Sequence, residues 1–471
     1  MMPNEGRRRG RAIGGIAVAL VGVVLGLLLL QASGLLAGSA TAAPSVSGTV
    51  AAVSSPSGPG GIAAPPSRSA LPGDPIASPS VSASAEPPGA TASPSSAPPS
   101  NAASPLPVAP LTAARLQQTL DKVRSQLSIP GVSVAILWDD GRSWVGASGL
   151  RNVATQDRMT TGTAFALASI SKTFTAAVVL QLVQEERLAL DQSVAPLLPQ
   201  YKLDKRITVR MLLDHTSGLP DYFLRQGIDA ALRRAPDATW TAQQAWSYVL
   251  SKHATPGTTW FYSNTNYLLL GELVQAVTGN PLAQEVRSRL LDPLGLTTAY
   301  YQDVETPREA GTLSYVMTAK AGGGWTVKPV ARPSDVMPFR SVVTAAGGAG
   351  SIAATALDVA RWMRAWAGGE VLDPAMQAQM LGDVARTVKL HAAIPYGLGI
   401  QRVTLDGYTA LGHSGRFIGF RNVVRYLPAA GVTIAVLTNQ SAWDPSRIAS
   451  ALLKVILPTA TPTPTPSASP H

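Results

Sequence analysis

Every tryptophan, tyrosine and phenylalanine of this chain falls between Leu111 and Leu457. Aromatic side chains supply much of the area that a core buries. A packed interior is therefore confined to that stretch, which is long enough for one large domain or two joined lobes. The flanks are of another kind. Residues 43–110 are dominated by Ala, Ser, Pro and Gly. They bury too little apolar surface to offset chain entropy, so they read as a disordered linker. Residues 458–471, with the run from Thr461 to Pro466, read as a Pro/Thr-rich disordered tail.

Residues 1–42 have their own pattern. Arg7, Arg8, Arg9 and Arg11 precede an uncharged apolar run from Ala12 to about Leu36. A basic start, an apolar span and small residues make an export signature, with Ala40-Thr41-Ala42 as the cleavage candidate. The run is also about as long as a bilayer is thick. Arginine on its N-terminal side fits an uncleaved anchor with that end inside. Both alternatives, cleaved signal and membrane anchor, place the remainder outside the cytoplasm. The absence of cysteine excludes disulfides, thiol catalysis and lipid attachment at an N-terminal cysteine. A net charge of +10 suits anionic surroundings such as a cell envelope. No Lys/Arg cluster is interleaved with aromatics, which argues against a nucleic-acid partner. The 5 histidines are scattered without ligand spacing, so no metal site is expected.

Periodicity gives the fold class. Leu116, Leu120, Val123 and Leu127 mark a helix over 111–127. Val132 to Trp138 and Trp144 to Gly149 read as strands joined at the turn Asp139-Asp140-Gly141. Phe174 to Leu190 is apolar on nearly all sides at first, as a central buried helix is. Residues 191–296 read as mostly helical, and Leu357, Ala360, Trp362 and Met363 mark another helix. Strands follow at Leu398 to Leu405, Tyr408 to Gly412, Phe420 to Tyr426 and Val432 to Thr438, then a closing helix from Arg447 to Leu457. Strands thus open and close residues 111–457 and helices fill the middle. That order predicts an α+β fold, with an antiparallel sheet built from both ends, flanked by helices, and a mostly helical lobe inserted.

Ser169-Ile170-Ser171-Lys172 is the only S-x-x-K in the chain. At the start of a helix the two end residues lie on one face and their side chains meet. Serine is a poor nucleophile until a neighbour takes its proton, and a lysine of lowered pKa can be that neighbour. One such motif is weak evidence in a serine-rich chain. Two more elements strengthen it: Tyr262-Ser263-Asn264, the only Y-x-N, and His413-Ser414-Gly415-Arg416 on a late strand.

In that order these motifs resemble the serine β-lactamase-related family, which includes class C β-lactamases, D-alanyl-D-alanine carboxypeptidases, D-aminopeptidases and β-lactamase-like esterases. Phe165 to Phe174 and Leu212 to Pro220, with His215, resemble family stretches as well. The resemblance implies a penicillin-binding-protein-like fold and acyl transfer through a serine ester, without a cofactor, on a small-molecule or peptide substrate. It implies Ser169 as nucleophile and Lys172 and Tyr262 as proton carriers. The charge of Lys172 is expected to make Tyr262 more acidic than its usual value near 10. Asn264 is implied to bond Lys172 and the substrate amide, and His413, Ser414, Gly415 and Arg416 to line the substrate. The backbone N–H groups of Ser169 and Arg416 are implied as the oxyanion hole. A non-catalytic envelope protein that kept the fold is the alternative, and the intact Ser169, Lys172 and Tyr262 argue against it.

One position departs from the family. Many penicillin-recognising members carry lysine where this chain has His413. Histidine is mostly neutral near pH 7 and pulls less on a substrate carboxylate. This favours an esterase or amidase acting on D-amino-acid-type substrates over an efficient β-lactamase.

Overall fold

The computed structural model describes residues 106–458, apart from 252 and 333. The expected signal or anchor, nearly all of the linker and the tail beyond Pro458 lie outside the described residues. Among those described, no helix is long and apolar enough to cross a membrane. The linker was expected to run to residue 110. Strand β1 (Leu106–Pro107) instead pairs parallel with Arg142 and Ser143, and helix α1 (Pro110–Gln126) starts with proline in its first turn. Proline there lacks only an N–H that has no helical acceptor anyway.

Strands β2 (Gly131–Trp138) and β3 (Arg142–Asn152) form a hairpin, and β4 (Asp157–Arg158) pairs with β3. Strand β5 (Phe165–Ala166) precedes a 3-10 turn (Ala168–Ile170) and helix α2 (Ser171–Gln184). The inserted lobe holds short helices α3 (Val209–Leu213), α4 (Ile228–Arg234) and α5 (Ala242–Trp246), the longer α6 (Asn264–Thr278), and α7 (Leu282–Val286). Strand β6 (Tyr300–Tyr301), hairpin β7 (Tyr315–Ala319) and β8 (Trp325–Pro329), and helix α8 (Arg340–Ala346) follow. Strand β9 (Ile352–Ala354) joins β5 and β6 in a small sheet. Helices α9 (Ala356–Ala367) and α10 (Pro374–Lys389) lead to β10 (Gln401–Leu405), β11 (Tyr408–Phe417), β12 (Phe420–Leu427), β13 (Val432–Thr438) and α11 (Ser446–Ile456).

The main sheet runs β1-β3-β2-β13-β12-β11-β10, antiparallel after the β1 pairing. The fold is α+β, with the two ends of the region meeting where β2 pairs β13. Successive strand side chains point to opposite faces. Val134, Ile136, Ile434 and Val436 therefore pack with Leu116 of α1 and Leu452 of α11. Ala135, Leu137, Ala435 and Leu437 pack on the other side with α2 and α9. Ala135 pairs with Ala435, and these small side chains leave room for α9 on that face. Phe174 stacks on Trp362 at 4.0 Å, and Trp362 Nε1–H donates to Thr173 Oγ1 at 2.8 Å, tying α2 to α9.

Three features differ from expectation for local reasons. Helix α2 stops at Gln184 because Glu186 turns left-handed (φ 58°) and the next N–H groups bond back to Leu182 O. Residues 191–296 are less helical than expected, broken by irregular segments. Strand β11 continues past Gly412 to Phe417. That glycine does not end the strand; a Cβ there would lie 2.1 Å from Val424 O, so its absence lets β12 approach.

Candidate active site

Ala168 sets the entry to the site. It is buried and left-handed (φ 51°), a conformation costing an L-residue about 1–2 kcal/mol. The bend turns the chain from β5 into the turn that runs straight into α2. Ser169 thus stands in the first turn, where helical N–H groups lack an intrahelical acceptor. Lys172, one turn on, is fully buried. Its Nζ lies 3.0 Å from Ser169 Oγ, 2.8 Å from Asn264 Oδ1 and 2.9 Å from Ala349 O. Those are three acceptors for the three N–H donors of an ammonium. Burial pulls the Lys172 pKa from 10.5 down to about 7, with the Asp221 carboxylate pulling it back up.

Each acceptor arrives on a different element. Asn264 opens α6, and its Nδ2 donates to Asp221 Oδ2 at 2.7 Å, which fixes Oδ1 toward the lysine. Asp221 is itself buried; its Oδ1 accepts from the Phe223 N–H at 3.0 Å. Burial raises its pKa, against the lowering effect of the Phe223 bond and the Lys172 charge. Ala349 ends the 3-10 turn Gly347–Ala349. A Cβ on Gly348 would lie 2.5 Å from Tyr267 O, so glycine lets this turn reach α6 and deliver the carbonyl.

Tyr262 precedes α6, with Lys172 Nζ 5.1 Å from its ring centroid. Burial pushes its pKa above the usual 10, the polar Ser169 side chain nearby offsets only part, and the Asp221 charge adds to the rise. The expectation that Lys172 acidifies Tyr262 is not met, because desolvation penalises the phenolate more than its neighbours help it. The group brought near neutrality is the lysine.

Strand β11 supplies the opposite wall. A Cβ on Gly415 would lie 2.0 Å from Leu167 O, so the strand touches the serine turn through a bare glycine. Pairing with β10 ends at Gly412. Beyond it the Ser414 N–H turns away from β12 and donates to Gln401 Oε1 at 3.2 Å. The Arg416 N–H, two residues on, turns the same way by strand alternation. The Ser414 and Arg416 side chains stand on the strand face opposite His413 and Gly415.

His413 was expected to contact substrate, and the structure gives its ring another role. The ring is buried; Nδ1–H donates to Ser414 O at 2.6 Å and Nε2 accepts from the Tyr396 hydroxyl at 2.9 Å. Both nitrogens are engaged inside the protein. Burial and the Lys172 charge hold its pKa well below 6.5, so the ring is neutral. Asp221, Ala349 and Tyr396 were missed from sequence. Asp221 carried at most a faint signal, as the acidic residue just after the stretch from Leu212 to Pro220; a backbone carbonyl carries none.

A serine hydroxyl within reach of a buried, near-neutral amine and a phenol, at the start of a helix, defines a serine hydrolase. The comparisons agree. Residues 115–456 match the family described as Beta-lactamase, and the chain belongs to it. Penicillin-binding protein 4 of Amycolatopsis lactamdurans is 32% identical over 346 residues, covering 70% of this chain and 86% of that protein. A D-aminopeptidase of Brucella anthropi is 30% identical over 295 residues, covering 62% of this chain; the chain spans 52% of its length. Among solved structures, a D-stereospecific amidohydrolase from Streptomyces sp. superposes with TM-score 0.61 at 28% identity, covering 72% of this chain and 98% of that one.

Proposed function

We propose that this protein hydrolyses amide bonds of D-amino-acid derivatives through an acyl ester on Ser169, outside the cytoplasm. The observation that carries the mechanism is the fully buried Lys172, its pKa near 7, with Nζ 3.0 Å from the serine oxygen. Ser169 Oγ attacks the carbonyl carbon and its proton passes to neutral Lys172. The oxyanion forms between the Ser169 and Arg416 N–H groups. Tyr262 stays a protonated phenol at neutral pH, so its part is to hand a proton to the departing amine and be re-protonated from Lys172. Water then attacks the ester by the reverse route.

Two points support the substrate class. The names of the D-aminopeptidase and the D-stereospecific amidohydrolase point to D-configured amides. The neutral, internally bonded His413 brings no charge for a substrate carboxylate, which favours an amino-acid amide over a β-lactam. The basic and apolar N-terminal residues support export or anchoring in a membrane. The test compares D- and L-phenylalanine p-nitroanilides, a D-Ala-D-Ala peptide and nitrocefin, with mass spectrometry of the quenched enzyme. Preference for the D-anilide with an acyl adduct on Ser169 is expected; equal rates for both enantiomers, or no adduct, would refute it. Cell fractionation of the full chain tests the location.

A further inference from the structure

Tyr262 lies in an irregular segment with no sheet ladder to hold it, so something else must fix the phenol at Ser169. The loop after α3 does so largely through one residue. His215, buried and left-handed (φ 66°), accepts from the Phe261 N–H at its backbone oxygen at 3.0 Å. Its Nδ1 accepts from the Ser263 N–H at 3.2 Å. The peptide N–H groups on both sides of Tyr262 therefore end on the same histidine. Its ring also packs against the Tyr262 ring, centroids 4.3 Å apart at 38°.

The chemistry of the ring is specified. Asn266 Nδ2 also donates to Nδ1, at 3.1 Å, while Asn266 Oδ1 accepts from Ser217 Oγ. With two donors on Nδ1, the proton of the neutral ring sits on Nε2. Nε2 is buried without a hydrogen-bond partner. Leaving such a group unmade costs about 1–3 kcal/mol. The fold accepts that cost at a position where an aromatic ring alone would be enough to pack against Tyr262. What phenyl lacks is the Nδ1 acceptor for the segment that carries Tyr262.

We propose that His215 is the positioning residue for Tyr262, holding the phenol at Ser169 through the two flanking peptides and by ring contact. This rests on the reading that Tyr262 carries a proton in the reaction. His215 touches neither the nucleophile nor the lysine in any hydrogen bond among the described residues. Its removal should therefore displace the tyrosine and leave Ser169 reactive. A shift of about 1 Å in a group that takes part in the reaction costs up to about 100-fold in rate.

The test is a double-mutant cycle with Tyr262→Phe, read as kcat and KM on the D-phenylalanine p-nitroanilide, with thermal unfolding and fluorophosphonate labelling alongside. His215→Phe keeps the ring and loses the acceptor. His215→Asn suits the left-handed backbone and keeps an acceptor near Nδ1. The expected result is a kcat about 10- to 100-fold lower in His215→Phe, with KM within threefold and Ser169 still labelled. His215→Asn recovers part of the loss, and His215→Phe has no further effect once Tyr262 is Phe. Additive losses in the cycle, or equal losses in both His215 variants, overturn the proposal. Full turnover by Tyr262→Phe alone would refute the role of Tyr262 first and the positioning role with it.

Discussion

Gly415→Ala tests whether the site depends on the bare contact between β11 and the serine turn. The added Cβ would lie 2.0 Å from Leu167 O, 3.2 Å from the Leu167 carbonyl carbon and 3.4 Å from Ile170 Cγ1. A carbon–oxygen contact settles near about 3.3 Å, so strand and turn must part by roughly 1.3 Å. The obstacle is backbone, and it is pinned: the Leu167 N–H bonds Ile352 O at 2.9 Å and Leu167 O accepts from the Ile170 N–H at 3.3 Å. The carbonyl cannot swing aside as a side-chain tip would. The oxyanion of the proposed mechanism, held between the Ser169 and Arg416 N–H groups, then loses one of them. Loss of one such donor costs about 10²–10³-fold in kcat, or about 2.7–4 kcal/mol.

Steady-state kinetics on the D-phenylalanine p-nitroanilide read the effect, with urea unfolding to separate it from loss of fold. Overpacking is expected to cost about 1–3 kcal/mol of stability. Gly382→Ala, on the exposed face of α10 with nothing within 4 Å of the added Cβ, is the control. It should gain about 0.5–1 kcal/mol and leave kcat unchanged. A folded Gly415→Ala enzyme with kcat within threefold of the parent would refute the close-approach argument.

Ser169→Ala should abolish fluorophosphonate labelling and lower kcat by about 10³-fold or more; equal labelling of parent and variant would remove Ser169 from the chemistry. Activity should rise with pH through about 7, because the lysine works as a base only after losing its proton. The Asp221 carboxylate raises that pKa, so Asp221→Asn should move the acid limb of kcat/KM to lower pH, and an unmoved or upward-moved limb contradicts the assignment. Trp362→Ala removes the stack on Phe174 and the bond to Thr173 Oγ1, with an expected loss of about 3–5 kcal/mol in urea unfolding. A loss under about 1 kcal/mol would mean that the core refills that space.

Much of the fold was legible because the sheet is buried on both faces. Val132 to Trp138 and Val432 to Thr438 read as mostly apolar, β-branched-rich runs, and each became a strand at nearly those limits. The amphipathic helices at the two ends were equally plain, since Leu116, Leu120, Ile448 and Leu452 repeat at helical spacing against one sheet face. The middle was harder. Hairpin β7–β8 is short and largely exposed, and α10 is marked chiefly by its Asp373 cap on Met376 N–H. Ends fixed by backbone geometry, such as the left-handed Glu186, have no apolar pattern to announce them.

At the site, motif spacing pointed to Ser169, Lys172, Tyr262 and Asn264, which the fold gathers around one lysine. What spacing could not supply is the electrostatic order among them. The sequence suggested a charged lysine acidifying a tyrosine. That picture needs the lysine to stay charged, and no motif records that α6 and the Gly347–Ala349 turn close over it. Once Lys172 is fully buried, desolvation lowers its pKa and raises that of Tyr262, driving both groups toward their uncharged forms. His413 follows the same logic. In place of a lysine, the neutral imidazole is bonded to Tyr396 and Ser414 O. In the proposed mechanism a positive charge at that strand position would help Ser169 lose its proton but would disfavour the protonated Lys172 that receives it. In that mechanism, a neutral residue there adds no charge against Lys172 while it holds the serine proton.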